Sequence, residues 1–181
     1  QFGSIYASAT LLSSFILIWV GKKIDDINVY KFSLFVIVLL SFACYFFSTI
    51  KFTSLLFIGI FLLRLSGQGL MSHTATTTVA RYFEKTRGKA LSITWLGLSA
   101  AEFVLPVLMV FLLTLISWRN IWVTISLSIL IFLPIISFFL IKKVKLDSRE
   151  NSKSYDQKID INIKQWTRIS VIKDYRFYIL S

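Results

Sequence analysis

Five blocks of apolar residues, each long enough to cross a bilayer, restrict this chain more than any other feature. They cover residues 2–20, 32–50, 54–79, 90–116 and 121–141. A helix rises about 1.5 Å per residue, so some twenty residues cover a hydrocarbon core of about 30 Å. One such block can be a buried helix of a soluble domain. Five in succession, split by short charged joints, have no good soluble counterpart. The overall apolar content, 56%, lies close enough to that of soluble domains to decide nothing, so the arrangement carries the argument. The expected fold is all-α: a polytopic helical membrane protein with five predicted spans and the lipid bilayer as its surroundings.

The formal net charge is +11, which in a soluble protein would suggest nucleic acid or another anionic surface. Here the basic residues stand at the ends of apolar blocks, and no zinc-ligand spacing, RNA-binding aromatic motif or helix-turn-helix pattern accompanies them. Nucleic acid is therefore not an expected partner. The single cysteine, Cys44, excludes an intrachain disulfide and a cysteine-rich metal site, and its apolar surroundings suit inert packing. The sequence has no Ser/His/Asp set, no paired histidine ligands and no glycine-rich nucleotide loop after a strand, so no enzyme, cofactor or metal is expected. The first block lacks a basic leader and ends at Gly21-Lys22-Lys23 rather than at a small-residue cleavage site, unlike a signal peptide. Gln1 stands directly before that block, and upstream sequence is expected.

Charge also orients the spans. The joint after the first block holds Lys22, Lys23 and Lys31, the joint after the third holds Arg81, Lys85, Arg87 and Lys89, and Lys142, Lys143 and Lys145 follow the fifth. The intervening joints carry only Lys51 and Arg119. The positive-inside rule then places the first, third and fifth joints in the cytoplasm, with residue 1 outside and the polar tail inside. A plasma or bacterial inner membrane is the expected location. Residues 1–141 read as the helical bundle and residues 142–165, polar and charged, as a cytoplasmic linker. Residues 166–181 regain aromatic and apolar side chains, as an interfacial helix leading into another span would; an amphipathic tail lying on the membrane is the other reading.

A few polar residues inside the blocks are candidates for chemistry. Arg64 is the sharpest, because a guanidinium within a membrane span must face protein or a wet cavity and find a partner. It suits bidentate capture of a carboxylate, although a structural pair or an outward-snorkelling side chain would also account for it. Gln68, one turn on, extends the same face. Glu102, mid-block, is the natural ionic partner of Arg64 and suits proton coupling, a gating ion pair or a place near the lumen without coupling. His73, the only histidine, falls on the opposite side of a regular helix from Arg64 and reads as packing, with proton relay as the alternative. Gly67 and Gly69, and also Gly59, suit close helix approach, and Pro106 and Pro134 suit bends. Ser4, Ser8, Thr10, Ser13 and Ser14 in the first block suit tight packing or a partly wet face. The run Ser72, Thr74, Thr76, Thr77 and Thr78 fits a wet vestibule or hydroxyls bonded back to their own helix. Trp19, Trp118 and Trp122 fit an interfacial aromatic belt.

The joints resemble those of the major facilitator superfamily over nearly the whole chain. Gly21-Lys22-Lys23-Ile24-Asp25 matches the glycine and aspartate of the family's loop after its second helix, while Asp26 and Asn28 depart from it. Arg64-Leu65-Ser66-Gly67-Gln68-Gly69 is similar to the arginine and close glycines of the fourth helix. The joint Arg81-Tyr82-Phe83-Glu84-Lys85-Thr86-Arg87-Gly88-Lys89-Ala90 resembles the aromatic-then-Arg-Gly-x-Ala joint of the monocarboxylate and oxalate/formate branches, with Gly97, Pro106 and Trp118-Arg119 following in order. The glycine-proline signature of drug/proton antiporters is absent around Ala100, Ala101 and Glu102. The resemblance implies a partial bundle, family helices two to six, whose first helix and C-terminal half belong to the same parent protein. It implies a secondary carrier that moves a small organic solute by alternating access, most simply a small organic anion such as a monocarboxylate, with the proton as a candidate coupling ion. It further implies that Gly21, Asp25, Arg81 and Arg87 belong to an inner gate; positive-inside topology alone explains the basic members. A carrier of a neutral or drug-like solute and a non-transporting membrane scaffold or assembly subunit are the alternatives.

Overall fold

The computed structural model describes the backbone of residues 2–83 and 86–153, and the side chains of these except 25, 26 and 140–153. The regular structure among the described residues is helical throughout. In order it comprises α1 (Phe2–Asp26), α2 (Val29–Ser48), α3 (Thr53–Leu63), a π-helical segment (Arg64–Met71), α4 (Ser72–Tyr82), α5 (Arg87–Leu115) and α6 (Trp118–Lys153). Helix α3, the π segment and α4 form one continuous rod, so five helices are long and apolar enough to cross a membrane. Residues Gln1–Ser148 make one compact unit; of the second, Arg149–Ser181, only the end of α6 is among the described residues.

The joints are short and locally capped. Only Ile27 and Asn28 separate α1 from α2, and the Asn28 side chain accepts from the Tyr30 amide at 3.0 Å, satisfying one free donor of the first turn. Ile116 is extended between α5 and α6, and the Ser117 hydroxyl accepts from the Asn120 amide at 3.5 Å, a long cap. The first part of the predicted cytoplasmic linker over residues 142–165, residues 142–153, is helical, because α6 continues past the apolar run to Lys153. Residues 142–153 are rich in Lys, Arg and Glu, which favour helix, and no Gly or Pro follows Pro134 to end it. The remainder of that linker and the start of the second half at residues 166–181 lie outside the described residues.

Helices α1 and the α3–π–α4 rod run side by side in the same direction, since Tyr6 meets Arg64 near one end while Gly21 meets His73 further along. Helix α2 lies antiparallel against the rod, and the core forms where the three meet: Ile24, Phe32, Val36, Leu65 and Leu70, flanked by Leu17, Val20 and Phe61. Gly59 is the tightest of the rod's glycines. A Cβ there would lie 2.5 Å from Ile50 Cδ1 and 3.0 Å from Phe47 Cδ2, so the glycine is what lets α3 close on the end of α2.

Helix α6 zips onto α2 through hydroxyls. Ser41 and Ser126 are both buried, and each donates to the other's backbone carbonyl, at 3.0 and 2.8 Å. Ser33 and Ser137 approach to 3.1 Å further along, and Phe47 packs on Trp122 with ring centroids 4.7 Å apart. Trp122 is thus packed between helices rather than serving only as a belt residue. Helix α5 differs from all of these: it meets α4 and buries none of its residues, leaving Phe103, Val107, Val110 and Phe111 more than half exposed. In water such a face would be prohibitive; in a bilayer it is an ordinary lipid- or helix-facing surface.

The reciprocal Ser41–Ser126 bonding should appear as a coupling energy. In a double-mutant cycle of Ser41→Ala and Ser126→Ala, measured by reversible unfolding in mixed micelles, we expect a coupling of about 0.6 kcal/mol, with about 1.7 kcal/mol as the ceiling for such pairs.

Candidate functional site

The π segment is where the polar residues of the third span stand. Its eight residues, Arg64-Leu65-Ser66-Gly67-Gln68-Gly69-Leu70-Met71, widen the helix by one residue per turn and turn it more slowly than an α-helix does. Gly69 sits at the tight point, because a Cβ there would lie 3.2 Å from Leu17 Cδ1 and 3.3 Å from the Arg64 carbonyl oxygen. Gly67 makes only ordinary contact, 3.4 Å from Leu40 to an added Cβ. The slower turn also changes one expectation. Regular α-helical rotation sets His73 opposite Arg64, yet both side chains meet α1: Arg64 at Tyr6 and His73 at Gly21.

Arg64 is held from one side. Its Nη2 donates to the Tyr6 hydroxyl, and its guanidinium carbon stands 4.5 Å from the centre of the Tyr6 ring, a cation–π contact. Its Nε is buried without a hydrogen-bond partner among the described residues. A buried, unpartnered N–H of a charged group is costly, by about 1–3 kcal/mol, and an arriving acceptor would relieve that cost. Beside it lies a cleft of about 270 Å³ lined by Thr10, Ser13, Ser14, Leu17, Arg64, Gln68 and Gly69. Tyr6, Thr10, Ser13, Ser14 and Leu17 follow the spacing of one helix face, a periodic signal legible in the first block once Arg64 is known to lie opposite. Tyr6 is the residue that reading the sequence missed.

The hydroxyls on the α1 wall have already spent their protons. Thr10 donates to the Tyr6 carbonyl at 2.8 Å, and Ser13 and Ser14 donate to the Thr10 carbonyl at 2.8 and 3.0 Å. The Gln68 amide has no partner among the described residues and is exposed to the cleft. The polyhydroxyl run of α4 behaves in the same way: Thr74, Thr76 and Thr78 donate to the carbonyls of Leu70, Ser72 and Thr74 at 2.6, 2.9 and 2.6 Å. Thr74 and Thr78 also line a second cavity, of about 340 Å³ and almost wholly apolar, bounded by Ile37, Met71 and Leu133.

Glu102 does not meet Arg64. It is exposed on α5, no ion pair joins the two, and no partner for it exists among the described residues. The reason lies in the packing, since α5 is the helix that turns no face into the bundle. Pro106 and Pro134 lie inside the continuous helices α5 and α6, and each leaves the carbonyl four residues earlier, on Glu102 and Leu130, without its helical donor.

At the end of the bundle where α1 stops, Arg81 Nη2 donates to the Ile24 carbonyl at 3.3 Å, tying α4 to a terminal carbonyl of α1. His73 Nε2 lies 3.3 Å from the Gly21 carbonyl, a bond for which that nitrogen must carry the proton, and a Cβ on Gly21 would lie 3.3 Å from the imidazole. Arg87 is exposed in the first turn of α5. The side chain of Asp25, like residues 84 and 85 of the same cluster, lies outside the described residues. At the opposite end Arg119 donates to the Ile50 carbonyl at 3.2 Å and stacks on Trp118 with 4.3 Å to the ring centre.

Among known proteins, the family model described as Major Facilitator Superfamily matches residues 1–180. No curated protein and no solved structure matches the chain.

The Tyr6 contact has two separable parts. Tyr6→Phe keeps the ring under Arg64 and removes the hydroxyl; we expect it to lower unfolding stability in mixed micelles by about 1–2 kcal/mol. Tyr6→Leu removes both and should cost about 1 kcal/mol more, the worth of the cation–π contact.

Proposed function

The chain belongs to the major facilitator superfamily, and from that premise we propose that it forms part of a secondary carrier for a small organic anion such as a monocarboxylate. Members of this family are membrane carriers of small solutes and not enzymes, so the chain is an integral membrane transport protein. The observation that carries the anion reading is Arg64: a guanidinium inside a span, beside a polar cleft, with one N–H buried and unpartnered. An incoming carboxylate accepts from a donor that is unsatisfied among the described residues, and the charge-assisted bond neutralises a cation that is otherwise costly within the membrane. A π-helical segment under the same residue supports the reading, since such segments recur at functional sites. The aromatic-then-Arg-Gly-x-Ala joint at residues 81–90 favours the monocarboxylate and oxalate/formate branches.

In this reading the end of the bundle carrying Gly21, Asp25, Arg81 and Arg87 is cytoplasmic, in a plasma or bacterial inner membrane. Arg81 on the Ile24 carbonyl and His73 on Gly21 tie α4 to α1 there, which supports reading this end as part of an inner gate. Glu102, with no partner among the described residues, is the group assigned to proton coupling, and the family's first helix and second half would cover the bare face of α5. Alternating access then rocks one half against the other around the Arg64 cleft. A neutral or drug-like solute is the second reading, favoured by the apolar cavity between α2, α4 and α6. The bare α5 face by itself would equally suit a scaffold that assembles with partner helices.

Uptake of labelled small carboxylates into liposomes holding the full-length protein tests this. Wild-type uptake should rise under an inward proton gradient. Arg64→Gln, at matched insertion, should lose about tenfold or more, the worth of one charge-assisted bond. Glu102→Gln should keep uptake but lose its response to the gradient. Carboxylate uptake indifferent to Arg64→Gln would return that residue to a structural role.

A further inference from the structure

The cleft beside Arg64 is polarised, and its polarity narrows the solute beyond the word anion. On the π-segment wall stands a fixed donor, the guanidinium, with the unpartnered Gln68 amide one turn away. On the α1 wall stand Thr10, Ser13 and Ser14, whose protons are committed to the carbonyls of Tyr6 and Thr10 at 2.8–3.0 Å. A hydroxyl that has donated keeps only lone pairs to offer, so this wall presents acceptors. A plain carboxylate satisfies Arg64 and leaves those acceptors facing its hydrocarbon; a 2-oxo group facing the α1 wall turns an acceptor toward acceptors. An O–H or N–H donor on the carbon next to the carboxylate meets both walls. The volume, about 270 Å³, lies just below the range of drug-sized pockets and suits a solute of a few heavy atoms.

Resting on the anion-carrier reading, we infer that the cleft selects small carboxylates bearing a hydrogen-bond donor on the adjacent carbon, 2-hydroxy or 2-amino, over plain and 2-oxo carboxylates of the same length. Carboxylate and donor are held by different helices, the first by Arg64 on the π segment and the second by Thr10 and Ser14 on α1. A solute with both groups therefore bridges the two helices, and one with the carboxylate alone does not.

Direct uptake of four labelled three-carbon acids by the full-length protein in liposomes tests this: propionate, 2-oxopropionate, 2-hydroxypropionate and 2-aminopropionate. We expect the 2-hydroxy or the 2-amino acid to exceed the other two by about tenfold at limiting concentration, the worth of a satisfied hydrogen bond over an unmet one. The two donor-bearing arms then tell a neutral donor from a cationic one. The preference should collapse toward unity in Ser14→Ala and in Thr10→Val, read as a ratio of two solutes so that differences in folded amount cancel. Ser14 is exposed on α1, so its variant serves if Thr10→Val fails to fold. Propionate or 2-oxopropionate carried as well as the donor-bearing acids would overturn this inference and leave the carboxylate carrier standing. An unaltered ratio in both variants would overturn it too. No uptake of any of the four by folded protein would overturn the anion reading and this inference with it.

Discussion

A guanidinium placed inside a membrane span has to be partnered by the protein itself, and much of the structure around the third span follows from that demand on Arg64. Lipid supplies no acceptor, so the partner must come from another helix. Tyr6 of α1 supplies both an oxygen and a ring face, which requires α1 to run beside the rod at close range. Gly69 allows the approach on one side of the cleft and Gly21 allows it further along, under His73. The partner is incomplete, since Nε has no acceptor among the described residues, and the polar cleft opens beside it. In the proposed reading, structural need and solute recognition thus fall on the same side chain.

Hydroxyl groups are used in two distinct ways in this bundle. Those of Thr10, Ser13, Ser14, Thr74, Thr76 and Thr78 bond back to their own helices, which hides their protons from the low-dielectric surroundings while keeping lone pairs at the surface. Those of Ser41 and Ser126 reach across to a neighbouring helix instead. The first use shapes the chemistry of a cavity wall; the second holds two helices together where lipid, as apolar as leucine, gives no hydrophobic drive to do so.

The helical class and the five spans were legible in the sequence because hydropathy and length suffice for a membrane helix, and the joints carried the family resemblance. Three things were not legible. The π segment was hidden because its residues, with two glycines and a serine, are as compatible with a packed α-helix; its rotation put His73 and Arg64 against the same neighbour. The continuation of α6 beyond the apolar run was hidden because hydropathy stops at the membrane surface while helix propensity does not, so the helix runs on through Lys-, Arg- and Glu-rich sequence to Lys153. The partner of Arg64 was sought by charge, at Glu102, when a tyrosine on a parallel neighbour supplied it. Opposite charges are visible in a sequence, but which helices adjoin is decided by tertiary packing.

The reciprocal serine pair has a mechanical consequence. Each of Ser41 and Ser126 both donates to the other's backbone and has its own carbonyl bonded in return, and Arg119 on the Ile50 carbonyl secures the same two helices at their far end. A slip of α2 along α6 by a single residue would break both interhelical bonds at once. The arrangement therefore acts as a detent that resists sliding of one helix along the other.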